Sequence, residues 1–126
     1  MTAVRARKAP APKGPYSQGR RGGGLLFVAG QGPFDAKGTL VGSTIIEQTR
    51  QTLENVKAIV EAAGASLADV VKVNVYLTDL TNFAVMNEVY ASFFSEPYPA
   101  RTTVEAGLLG FLVEIDAVAA LPYTKK

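Results

Sequence analysis

With 126 residues and 13.3 kDa, the chain is expected to form one domain, 1–126, large enough to bury a core without disulfides or metals. It contains no cysteine and no histidine, which excludes disulfides, thiolate nucleophiles, Ser-His-Asp catalysis, histidine metal ligation and the usual near-neutral proton shuttle. Six Lys/Arg and no acid fall in residues 1–34, against seven basic and eleven acidic residues afterwards, so the net charge of +2 conceals a basic leading end on an acidic body.

Residues 1–13 read as a basic, proline-containing, solvated leading segment, extended through Ala9–Gly14. Its scattered charges, with no interleaved aromatics, make a poor nucleic-acid footprint. No run reaches the ~18 apolar residues that span a membrane, and the start of the chain lacks the apolar stretch of a secretory signal. The cytoplasm is the expected compartment.

A short strand is expected around Tyr16–Gln18, a turn at Gly19–Gly24, and a strand at Leu25–Ala29. A loop, Gly30–Gly38, and a short strand around Thr39–Val41 follow. Thr44 with Glu47 forms a capping-box pattern, and Gly64 stands where a glycine after a helix end belongs. Between them Ile45, Leu53, Val56, Ile59, Val60 and Ala63 share one helical face. Val70–Leu77 alternates as a strand, with Val71, Val73, Val75 and Leu77 on one side and Lys72, Asn74 and Tyr76 on the other. A second helix spans Asn82–Phe94, its stripe formed by Phe83, Met86, Tyr90, Phe93 and Phe94, and Pro97 and Pro99 prevent it continuing. Strands at Thr102–Ala106 and Leu112–Leu121, around a Gly107–Gly110 turn, close the chain.

This order implies an α+β fold, a mixed sheet with two helices packed on one face. The last strand also carries Val118 and Ala120 on its second side, so the uncovered face is expected to meet another subunit.

Without histidine, chemistry falls to carboxylates, Arg, Lys, Tyr and amides. Arg101 begins a strand with Thr103 and Glu105 on the same side; it is either a fork for a ligand carboxylate or a structural or solvated charge. Glu114 and Asp116 share a face of the last strand, either as acid and base around a water or as a polar outer face; they are too few for a hard-cation site. Asn87 lies on or beside the apolar stripe, where its amide either satisfies backbone groups or faces a cleft. Tyr16, within Gly-Pro-Tyr-Ser-Gln-Gly, suits either a cleft rim or a core edge.

These residues fall in segments that resemble one family, the RidA/YjgF enamine/imine deaminases, also called the L-PSP endoribonuclease-like family. The resemblance rests on Gly-Pro-Tyr-Ser-Gln-Gly at 14–19, Val-Ala-Gly-Gln-Gly-Pro at 28–33, the helix 51–64, the stretches 69–79 and 83–90, and Pro-Ala-Arg-Thr-Thr-Val at 99–104 with Val-Glu-Ile-Asp-Ala-Val-Ala at 113–119. It implies a chorismate-mutase-like fold assembled as a homotrimer around a central barrel, with clefts between subunits and no cofactor or metal. Implied substrates are 2-imino acids and their enamine tautomers, such as 2-aminoacrylate, hydrolysed to 2-oxo acids and ammonia. Arg101 takes the carboxylate-binding role, Glu114 the water-positioning role, and Tyr16, Ala29, Gly30, Asn87 and Thr103 line the same cleft.

Three departures stand out. Ala29 occupies a position where members often carry serine, Thr103 one where they often carry cysteine, and the Glu105–Val113 loop is shorter, without their Leu-Pro. The implied cleft wall is therefore more apolar. A non-catalytic carboxylate-binding trimer is the alternative function; a ribonuclease or translation inhibitor fits less well with an acidic body lacking histidine.

Overall fold

A computed structural model describes residues 2–122. In chain order it comprises β1 (Ala3–Val4), β2 (Gly19–Gly22), β3 (Leu25–Gln31), α1 (Ile45–Ala62), β4 (Val70–Leu77), α2 (Phe83–Ala91), β5 (Ala100–Glu105) and β6 (Val113–Ala120). The six strands form one mixed sheet in the order β1-β2-β3-β6-β4-β5, antiparallel except for the β4–β5 pair. Leu53, Val56, Ile59 and Val60 of α1 and Met86 and Tyr90 of α2 pack into one core with Leu26, Val28, Val73, Val75, Leu77, Val113, Ile115, Ala117 and Ala119 of the sheet. The α+β expectation holds. No described helix is long and apolar enough to cross a membrane.

Helix α1 follows from its end signals. The Thr44 hydroxyl accepts from Glu47 N–H at 3.2 Å, and the Glu47 carboxylate accepts from Thr44 N–H, also at 3.2 Å. At the other end Gly64 has φ +89°, and Gly64 and Ala65 N–H donate to Glu61 and Val60 carbonyls. This is the Schellman closure that a left-handed glycine permits. Four polar side chains of α1 are nevertheless buried: Gln48, Thr49, Thr52 and Asn55. Two of them anchor loops. Gln48 Oε1 accepts from Leu112 N–H at 2.8 Å, and Asn55 Nδ2 donates to the Gly32 and Phe34 carbonyls at 3.0 and 2.7 Å.

Several boundaries differ from the sequence expectation. The strand is Gly19–Gly22, not Tyr16–Gln18, because Gly23 and Gly24, with φ +59° and +77°, supply the two-residue turn that pairs Gly22 with Leu25. Thr39–Val41 forms only an isolated Phe34–Leu40 bridge. Val71 is exposed rather than core-facing: Val70 pairs with Ala119 and Lys72 with Val118, so Val71 is an extra residue in a bulge that turns its side chain outward. Helix α2 ends at Ala91, and its Phe83 is exposed, while Val89 is buried instead.

The leading segment exposes Arg5, Arg7, Lys8 and Lys13 but is docked on the body by its apolar residues. Ala3–Val4 pairs with β2, and Val4, Ala6 and Ala9 are buried. The buried Gln18 side chain clamps them: Oε1 accepts from Ala6 N–H at 2.6 Å, and Nε2 donates to the Ala6 and Pro10 carbonyls at 3.1 and 2.8 Å. Leaving a buried donor or acceptor unpaired costs ~1–3 kcal/mol. Gln18→Ala is therefore expected to lower the melting temperature by several degrees and to expose residues 3–10 to proteolysis. An unchanged melting curve would mean apolar contacts alone hold the segment.

Candidate functional site

The polar residues singled out from the sequence fall into two groups, in two separate concavities. The first lies at the mouth of β5. Arg101 pairs in register with Val73, whose side chain is in the core under the helices, so it emerges on the helix side of the sheet beside α2. Its guanidinium carbon sits 4.7 Å from the centroid of the Tyr90 ring and 5.5 Å from that of Phe83. The two ring faces hold the cation, and among the described residues its N–H groups have no hydrogen-bond partner. Among the described residues no carboxylate pairs with it, which removes the structural ion-pair explanation.

Arg101 shares its concavity with Asn87, Tyr90, Tyr98 and Pro99. Asn87 Oδ1 and the Tyr90 hydroxyl are both buried without a hydrogen-bond partner. Buried polar atoms in folded proteins are nearly always paired, so two orphans beside an unpaired arginine mark an unfinished polar site. Asn87, open in the sequence between satisfying backbone groups and facing a cleft, lines this concavity with its Oδ1 bound to no backbone group among the described residues. Tyr90 had looked like one more member of an apolar stripe, and only packing reveals its free hydroxyl. Thr103, half-buried, lies two residues along the same face, and Glu105 is engaged locally, accepting from Leu80 N–H at 3.2 Å.

The second group lies around β6. Val113, Ile115 and Ala117 are core residues, so the alternating Glu114 and Asp116 emerge on the helix-free face. The two acids differ. Asp116 is engaged, accepting from Asn74 Nδ2 at 2.8 Å and from the Tyr76 hydroxyl at 3.0 Å. Glu114 has no hydrogen-bond partner among the described residues and lines a cavity of about 380 Å³ with Tyr16, Gly30, Gln31, Phe34 and Phe111 among others. Burial pushes its carboxyl above the ordinary glutamate range, and the neighbouring Asp116 charge adds to the shift. The Asp116 hydrogen bond raises the Tyr76 phenol likewise, helped by burial.

Gly30 gives Glu114 its place. Ala29 and Gly30 together oppose the single residue Asp116 in a β3 bulge, since Val28 pairs with Ala117 and Gln31 with Ile115. Gln31 braces the bulge by donating from Nε2 to the Ala29 carbonyl at 3.1 Å. A Cβ built on Gly30 would lie 2.9 Å from Glu114 Cδ, so only glycine leaves that carboxylate where it is. Tyr16 is half-exposed; its hydroxyl accepts from Lys13 N–H at 3.2 Å, which leaves the phenolic proton to donate. Ala29 lies around the corner, in a shallow concavity with Tyr16 and Phe27. Among the described residues no three acidic side chains cluster to hold a metal ion.

A cation with orphaned polar neighbours thus occupies one face of the sheet, and an unpaired, proton-retentive carboxylate the other. Neither cavity contains a residue of the other.

Comparison with known proteins places this geometry in context. The family model described as Endoribonuclease L-PSP matches residues 6–121. A RutC family protein of Pyrococcus horikoshii is 57% identical over 114 residues, covering 88% of this chain and 90% of its own. A 2-iminobutanoate/2-iminopropanoate deaminase of Salmonella typhimurium is 44% identical over 121 residues, 92% of this chain and 94% of its own. The crystal structure of Escherichia coli TdcF with bound serine superposes with a TM-score of 0.89 at 40% identity, covering 97% of this chain and 100% of that one.

Proposed function

The chain belongs to the Endoribonuclease L-PSP, or RidA/YjgF, family, and from that premise we propose that it hydrolyses reactive 2-imino acids and their enamine tautomers in clefts between copies of the chain. The division of the site carries the proposal. Arg101 and Glu114 stand on opposite faces of one sheet, so a ligand reaches both only where the helix side of one copy meets the open face of another. A trimer closing on that face would also cover Phe27, Val118 and Ala120, which the helices leave uncovered.

In such a cleft the Arg101 fork binds the substrate carboxylate, the charge pattern also present in the serine bound by the TdcF relative. Asn87 and Tyr90 offer further polar contacts from the same wall. The C=N carbon is already electrophilic, so no covalent intermediate with the protein is required. Glu114 takes a proton from water as the water oxygen bonds to that carbon and returns it to the imine nitrogen, giving a neutral tetrahedral carbinolamine. Glu114 then takes the carbinolamine hydroxyl proton as the C=O bond forms and returns it to the nitrogen as the C–N bond breaks, so that ammonia departs and a 2-oxo acid remains; one water is consumed and nothing is oxidised or reduced. A carboxyl held above its ordinary pKa can both take and return that proton, and fixed positioning of the reactants supplies several kcal/mol more.

The direct test follows 2-oxo acid formation from freshly generated imine, with RNA offered in parallel to the repurified protein. Acceleration of imine hydrolysis with intact RNA is expected. Hydrolysis no faster than the spontaneous rate would leave a carboxylate-binding protein without catalysis.

Two further outcomes bear on the same site. Light scattering is expected to give three chains per particle at micromolar concentration, and a stable monomer would remove the shared cleft. Gly30→Ala is expected to fold, because the displaced atoms end a rotatable side chain, while losing at least tenfold in turnover as the Glu114 carboxylate swings away. Full activity in that variant would mean the position of Glu114 is immaterial.

A further inference from the structure

The cavity that holds Glu114 is far larger than a methyl or methylene group needs, and beside the polar Lys13, Tyr16, Gln18 and Gln31 it has an apolar wall of Phe34, Phe111 and Leu109. Phe34 and Phe111 meet edge to face, with centroids 5.3 Å apart. They stand directly over Gly32, where a Cβ would come within 3.0 Å of the Phe34 ring and 3.2 Å of the Phe111 ring. Leu109, at the rim, is 94% exposed. This wall is built rather than accidental. Asn55 binds the carbonyls of Gly32 and Phe34 from beneath, and Gln48 binds Leu112 N–H next to Phe111. Two buried amides of α1 thus hold the backbone that carries the two aromatic side chains.

We infer that the Phe34–Phe111–Leu109 wall receives the substrate's side chain and selects 2-imino acids bearing a large apolar group, branched aliphatic or aromatic, over those bearing a methyl. This rests on the imine-hydrolase proposal above. A 2-imino acid carries three substituents at the reacting carbon: the carboxylate, the nitrogen and the side chain. With the carboxylate on Arg101 and the carbon facing Glu114, the side chain is left to the cavity that contains Glu114. Neither of the other two concavities is lined by that residue. A single methylene in an apolar pocket shifts selectivity by about 10–200-fold, so a four-carbon branch or a benzyl group has ample contact to register. Lys13, which lines the same cavity, covers one face of the Phe34 ring with its ammonium 4.4 Å from the centroid, so Phe111 and Leu109 are the apolar groups open to substrate.

The test compares kcat/KM for imines made in place from alanine, leucine and phenylalanine, and measures affinity for the corresponding 2-oxo acids by calorimetry. The leucine- or phenylalanine-derived compounds are expected to exceed the alanine-derived ones at least tenfold in both readouts. Phe111→Ala is expected to erase that ratio. Leu109→Ser, at an exposed rim position that the fold does not need, is expected to lower it severalfold and covers the case in which Phe111→Ala misfolds. Equal or better use of the alanine-derived imine, or a ratio untouched in both variants, overturns the selectivity while leaving imine hydrolysis standing. If no imine is hydrolysed faster than spontaneously, the hydrolase proposal itself fails; oxo-acid affinities favouring the large side chains would still support the wall's role in binding, and flat affinities would end it.

Discussion

Arg101→Ala is expected to abolish nearly all imine hydrolysis and to weaken 2-oxo acid binding at least tenfold while the protein remains folded and assembled. The guanidinium is unpaired among the described residues and held by the Tyr90 and Phe83 ring faces, so its removal breaks no ion pair. Charge-assisted hydrogen bonds contribute ~1.5–3 kcal/mol each, and ~1.4 kcal/mol is a factor of ten; losing a bidentate pair therefore exceeds the tenfold mark. Arg101→Lys keeps the charge but not the planar fork or the stacking, and should recover only part of the activity. Melting temperature and particle size, measured on the same samples, separate ligand loss from structural damage. A well-assembled Arg101→Ala protein with undiminished affinity would place the carboxylate elsewhere.

Glu114→Gln is expected to retain 2-oxo acid binding and to slow hydrolysis by ~10²–10⁴-fold, the usual worth of a positioned acid or base. The pH dependence distinguishes the carboxylate from a merely structural polar group. Burial, then the Asp116 charge, raises the Glu114 pKa. The ionised form is the one that accepts the water's proton, so activity rises with pH through that raised value, and the acid limb lies above where an ordinary glutamate would put it. The glutamine variant should lose this limb. Stability runs the other way. A carboxyl whose folded pKa is raised makes the folded state bind more protons than the unfolded one between the two values, so stability falls as pH rises through that window. Glu114→Gln removes this loss and should melt no lower than the parent at neutral pH. A slow variant that also melts early would point to structural damage instead.

What could be read from the sequence was local. The Thr44–Glu47 box and Gly64 bracket α1 because both are contacts within one turn. The bounds of β4 follow from its alternation. The misplaced features depend on residues distant in the chain. The Val71 bulge exists only through the register with Ala119 and Val118, and the leading segment is held by pairing of β1 with β2 and by the Gln18 side chain on Ala6 and Pro10. Asn55 and Gln48 find their partners, Gly32, Phe34 and Leu112, at positions distant in the chain.

The site shows the same limit. Arg101, Glu114, Asn87, Tyr16 and Gly30 were identifiable as residue types in motifs. That they divide between two faces depends on β6 lying between β3 and β4 while β5 runs parallel at the sheet edge, an order that periodicity does not encode. The free Tyr90 hydroxyl carried no sequence signal, since its helical spacing matches that of a core aromatic.

The central claim is that one catalytic unit draws Arg101 from one copy and Glu114 from another, and subunit mixing tests it most directly. Arg101→Ala and Glu114→Gln, each inactive alone, are unfolded together in equal amounts and refolded. If the groups come from different copies and the copies associate at random, each cleft has an even chance of an intact Arg101 and an independent even chance of an intact Glu114. About one quarter of parental activity should then return, whatever the number of subunits in the closed ring. If both groups act from the same chain, every cleft retains one defect, and the refolded mixture stays as inactive as its components.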